Sequence, residues 1–129
     1  MQCSYFILLA VVCTAHPILS MTLKEINDAC MKEHNFDGDL GKMNYNDPAF
    51  PKEAKCTLAC TFEKEGVLKP DGSIDKQKDK EALEEIVKDE ELKAKLLVAI
   101  EECGVTAKAD KCETAYEFVK CKKAKTGQH

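Results

Sequence analysis

The sequence predicts an exported, all-α domain cross-linked by disulfides. Three observations predict it. There are eight cysteines in 129 residues and no tryptophan, a cysteine count that fits a small exported domain better than a cytosolic one. The first twenty residues, MQCSYFILLAVVCTAHPILS, contain no lysine and no acid, whereas the chain as a whole is 33% charged. Beyond them, apolar residues recur at helical spacing, and no segment alternates long enough for a strand. One domain is expected at this length. The net charge is −4, and all 19 basic residues are lysines. An acidic chain without arginine lacks the bidentate donor used for phosphate and base recognition, which argues against nucleic acid as a partner.

Residues 1–20 read as a secretory signal peptide and 21–129 as the exported helical domain. The apolar run from Tyr5 through Val12 and on to Ala15 is about half of the roughly 20 residues that a spanning helix needs, so stable membrane insertion is not expected. The usual positive charge at the start is absent. Pro17 would break the leader helix ahead of a cut after Ala15 or after Ser20. Ser20 is preferred, because Met21-Thr22 then opens the first helix. Thr22-Leu-Lys-Glu25 has the form of a capping box. Leu23, Ile26, Ala29 and Cys30 follow at helical spacing, to about His34.

Residues 35–51 hold two glycines and two prolines and read as loop, with one short helix around 39–44. Pro51 suits the first position of the next helix, which carries Cys56, Leu58, Ala59, Cys60 and Phe62 and ends at Gly66. Pro70-Asp71-Gly72 is a turn. Asp75 and Asp89 are N-cap candidates for the two helices that follow. Their stripes are Ala82, Leu83, Ile86 and Val87, then Leu92, Leu96, Ala99, Ile100 and Cys103, with Gly104 closing the second. Asp110 opens the last helix, with Cys112, Ala115, Tyr116 and Val119 along one side.

Removal of the leader leaves Cys30, Cys56, Cys60, Cys103, Cys112 and Cys121. An even number in an exported chain points to three disulfides. Zinc is disfavoured: Cys56/Cys60 meets the ligand spacing only at its edge, and His34 is the sole internal histidine of the exported part. Cys56 and Cys60 share a helix face and tie that helix to two partners rather than to each other. Cys112 and Cys121, nine apart, fall on opposite sides of the last helix. Spacing leaves most pairings open. Each closed loop stabilises by about 3–4 kcal/mol in the chain-entropy model. That either holds helices around a hollow or simply stabilises a small domain.

The pattern C-x25-C-x3-C-x42-C-x8-C-x8-C resembles that of the insect odorant-binding proteins, the pheromone- and general-odorant-binding family. The x3 and final x8 intervals carry the resemblance. It implies bridges Cys30–Cys60, Cys56–Cys112 and Cys103–Cys121. It implies six helices around one apolar cavity, a secreted carrier of small hydrophobic odorants, pheromones or lipids, and no enzymatic activity or cofactor. It also implies an olfactory receptor as a further partner, and a monomer or weak homodimer. The alternatives are a non-olfactory carrier of the same fold and a disulfide-stapled interaction module with a filled interior. After Cys121 only a short polar stretch, 122–129, remains, which argues against release by an apolar tail entering the pocket.

Pocket positions follow from helix faces, where the default for any apolar stripe is ordinary core. The candidates are Met43, Phe50, Leu58, Phe62, Ile74, Leu83, Val87, Leu96, Ile100, Tyr116, Phe118 and Val119. Phe118 lies off the main stripe of its helix. The Tyr116 hydroxyl is expected to reach solvent, the alternative being a hydrogen bond to a ligand. Ser73, the only serine after Ser20, lies in a turn without the strand-turn-helix setting of a nucleophile. The acidic pairs Glu84-Glu85, Glu90-Glu91 and Glu101-Glu102 read as solvated helix faces. His34 and the 23 acids point to a fold that loosens in acid.

Overall fold

The computed structural model describes residues 22–104 and 107–127. The expected leader and both cleavage points lie outside the described residues. Helix α1, Leu23–Glu33, begins at a complete capping box. The Thr22 N–H donates to Glu25 Oε1 at 2.8 Å, and the Glu25 N–H donates to Thr22 Oγ1 at 3.1 Å. Two orphan donors are thereby satisfied. Helix α2, Lys52–Glu65, starts one residue later than expected, with Pro51 outside it as N-cap. It ends at Gly66, whose φ of 82° is left-handed and suits glycine. The Pro70 turn returns the chain through one isolated bridge between Leu68 and Ile74. Helices α3, Lys76–Ile86, α4, Glu90–Glu102, and α5, Lys111–Thr126, are capped by Asp75, Asp89 and Asp110.

The expected count of six helices is corrected to five α-helices and one 3-10 turn, Leu40–Lys42, among the described residues. The glycines and prolines of 35–51 leave room for no more than that turn. Helix α5 runs past Cys121 through lysines, so that 122–126 is helix rather than tail. Positive charge near a helix C-terminus is favourable there.

Helix α2 packs against α1 and α5, and α4 against α5 and α3. The main core holds Tyr45, Phe50, Leu58, Phe62, Ile100 and Phe118. A smaller cluster joins Ile26 to Cys30 and Cys60. Three disulfides cross-link the helices: Cys30–Cys60 joins α1 to α2, Cys56–Cys112 joins α2 to α5, and Cys103–Cys121 joins the end of α4 to α5, at Cα–Cα distances of 5.7, 4.5 and 5.9 Å. These are the pairs that the family resemblance implies, where spacing alone left most pairings open. Helix α3 contains no cysteine and packs chiefly on α4. Lys76 Nζ donates to the Glu101 carbonyl at 3.0 Å, Lys80 pairs with Glu101, and Lys93 of α4 reaches Glu84 at 3.2 Å. Ion pairs thus do for α3 part of what covalent bonds do for the other helices.

Candidate functional site

A cavity of about 220 Å³ lies between α3, α4 and α5. Its apolar wall is built from Ala82, Leu83 and Ile86 of α3, Val87 directly after that helix, Leu96 and Ile100 of α4, and Val119 of α5. The spacing of Leu96 and Ile100 puts that pair on one helix face, and Val87, the C-cap of α3, donates its N–H to the Leu83 carbonyl at 3.0 Å. Ile86, on the rim, is 60% exposed. The other end is polar, formed by Glu65, Asp79, Lys122 and Lys123. Lys122 Nζ donates to Asp79 Oδ2 at 2.8 Å, and both side chains are largely buried. The same ammonium lies 4.4 Å from the centroid of the Phe118 ring. Lys123 Nζ donates to the Gly41 carbonyl at 3.2 Å and sits over the Tyr45 ring. Burial, and then the neighbouring Asp79 carboxylate, push the Glu65 carboxyl up to about 7, while Lys122 pulls the other way.

Of the sequence candidates, Leu83, Val87, Leu96, Ile100 and Val119 come together on this cavity. Phe50, Leu58, Phe62, Tyr116 and Phe118 are placed in the main core instead, with Met43 and Ile74 packed against it. Phe118 is fully buried, edge-on to Phe62 at 6.2 Å, because α5 is covered on more than one side. The expectation for Tyr116 is overturned. Its hydroxyl donates to the Tyr45 carbonyl at 2.5 Å in a buried setting, because the loop before α2 folds over that face of α5. Phe50 and Tyr116 pack at 4.8 Å, and Lys55 Nζ lies 4.4 Å from the Tyr116 ring centroid. Sequence reasoning missed the polar end. Glu65, Asp79, Lys122 and Lys123 look like ordinary surface charges in a chain rich in them. Glu33, His34 and Cys60 also lie close together, but the Cys60 sulfur is bonded to Cys30 and is no thiolate ligand.

The family profile described as PBP/GOBP matches residues 15–125, most of the chain. The chain belongs to the PBP/GOBP family. Two solved structures are similar to this PBP/GOBP protein. The odorant-binding protein dmelOBP28a from Drosophila melanogaster matches with a TM-score of 0.63 and 27% identity, over 81% of this chain and 89% of that one. The medfly odorant-binding protein CcapOBP22/CcapOBP69a matches with a TM-score of 0.53 and 25% identity, over 79% of this chain and 85% of that one. Comparison with curated protein sequences finds no match. The PBP/GOBP fold is a carrier fold for small ligands, and the family is one of binding proteins rather than enzymes.

Proposed function

We propose that the protein is a secreted carrier of small hydrophobic odorants or pheromones, taking one guest into the cavity between α3, α4 and α5. The observation that carries this reading is the cavity itself. It holds about 220 Å³ and is walled on three helices by apolar side chains, in a domain whose cross-links are covalent. Leu83, Val87, Leu96, Ile100 and Val119 supply the contact surface. Residues 1–20 act as the export signal and 21–129 as the carrier domain, in keeping with the oxidising compartment that three disulfides require. Burying apolar ligand surface contributes about 25 cal/mol per Å². A guest of a dozen or so carbons reaches roughly micromolar affinity once ordering costs are subtracted.

The test is saturable binding of a fluorescent apolar probe and its displacement by hydrophobic competitors. Val119→Trp, which places an indole in the cavity, is expected to abolish displacement while leaving the helical circular dichroism intact. A native protein that shows no saturable probe binding overturns the carrier reading. Expression in antennae, as against other secretory tissue, tests the olfactory part.

A further inference from the structure

We propose that the polar end of the cavity selects a guest with an apolar tail and a cationic amine head, the ammonium pairing with the Glu65 carboxylate. The inference rests on the carrier reading and adds to it the chemistry of the guest's head group. Its basis is an unequal pairing of charges. Two carboxylates, Glu65 and Asp79, and two ammonium groups, Lys122 and Lys123, line this end. Both ammonium groups are committed elsewhere. Lys122 is bonded to Asp79 at 2.8 Å and held over Phe118, and Lys123 is bonded to the Gly41 carbonyl at 3.2 Å. Among the described residues the Glu65 carboxylate has no ion pair within 4.0 Å and no side-chain hydrogen bond. It is half-buried at the end of α2, facing an apolar hollow.

The charged groups around Glu65 do not remedy this. Lys64 beside it and Lys78, Glu81 and Glu85 of α3 line an adjoining hollow on its other side. Glu85 and Asp79 both oppose its ionisation, and Lys122 only partly offsets them. A half-buried carboxylate without a cation is costly. A guest ammonium removes that cost, a guest alcohol removes less of it, and a guest carboxylate adds a like charge. The tail then lies along Leu83, Val87, Leu96 and Val119, with the head at the junction of α2, α3 and α5. With its carboxyl pushed up to about 7 by burial, Glu65 is more fully ionised at pH 8 than at pH 6. An alkylamine, charged from pH 6 to pH 8, therefore binds more tightly at the higher pH.

The experiment is displacement of an apolar fluorescent probe from the full exported domain by octylamine, octanol and octanoate, in the native chain and in Glu65→Gln, at pH 6 and pH 8. In the native chain at pH 8, octylamine is expected to displace at about tenfold lower concentration than octanol, with octanoate weakest. In Glu65→Gln, octylamine falls to the level of octanol and loses its pH dependence, while saturable binding of the apolar probe itself and an unchanged circular dichroism spectrum report an intact cavity. Octanol or octanoate matching octylamine in the native chain, or an octylamine advantage that survives Glu65→Gln, overturns the inference and leaves the carrier reading standing. Failure of all three to displace overturns both.

Discussion

Tyr116 illustrates what a single polar atom does in this fold. Its hydroxyl donates to the carbonyl of Tyr45, 71 residues earlier, and the Tyr45 hydroxyl in turn donates to the Leu40 carbonyl at 2.8 Å. The first bond fastens the loop before α2 onto α5, and the second braces that loop internally. Burial pushes the Tyr45 phenol well above its usual range. Tyr116→Phe keeps the ring contacts with Phe50 but leaves a buried carbonyl without its donor. A loss of about 1–3 kcal/mol in chemical denaturation is expected. The helical periodicity of α5 marks Tyr116 as inward-leaning, but its partner lies in a loop whose path no periodicity describes. Glu65 makes a second residue-scale prediction. Its folded pKa lies above the ordinary value of 4.5, so the folded state binds the extra proton. The stabilisation is fully present below about pH 4.5 and is lost as pH rises through about 7. This runs against the loosening in acid expected from the other carboxylates. Of those, Asp110 is held below the usual range by its bond to Lys52 and Glu101 by its bond to Lys80. Glu65→Gln is expected to flatten the decline in melting temperature between pH 5 and pH 8. An unchanged slope would place the proton elsewhere.

Helix ends were the most legible feature of the sequence, because caps are local. Thr22 with Glu25, Asp75, Asp89 and Asp110 all start helices through their side-chain oxygens, and Gly66 ends one in the left-handed region. The helix count was less legible. A 3-10 turn and a short α-helix present the same few residues, and the glycines and prolines around them decide between the two. How the elements are tied was legible for four of the five helices only through the family resemblance that their cysteines carry, since spacing alone left most pairings open. For α3 it was not, because ion pairs between distant lysines and acids leave no pattern in a chain that is 33% charged. That difference has a dynamic consequence. Helix α3 supplies much of the cavity wall yet is held by packing on α4 and by the Lys122–Asp79, Lys80–Glu101 and Lys93–Glu84 pairs. Amide exchange in α3 is expected to be faster than in α2 or α5, and to speed up in about 1 M salt, where exposed pairs are screened. Protection in α3 equal to that of α5 would show that packing alone secures it.

At the scale of the molecule, cysteine spacing carried the fold and helix stripes carried part of the site. The apolar wall was legible through Leu83, Val87, Leu96, Ile100 and Val119. The division between cavity and core was not, because Leu58 or Phe62 on a stripe looks the same whether its neighbour is a guest or another core side chain. What distinguishes them is where the bridges hold the helices. Cys121 lies on α5 between the lining residues Val119 and Lys122, and Cys103 caps α4 just beyond Ile100. Cys30–Cys60 lies on α1 and α2, in a cluster of its own. The two bridges span 18 and 30 residues, so the chain-entropy model assigns them similar stabilisation, about 3 and 4 kcal/mol. Removing either with a pair of serines is expected to lower stability by comparable amounts. Their effects on binding should differ. Loss of Cys103–Cys121 frees α4 from α5 and should weaken probe binding at a temperature where both variants remain folded, whereas loss of Cys30–Cys60 should leave it near the native value. Equal weakening in the two would mean that the hollow depends on overall stability and not on the clasp between the helices that wall it.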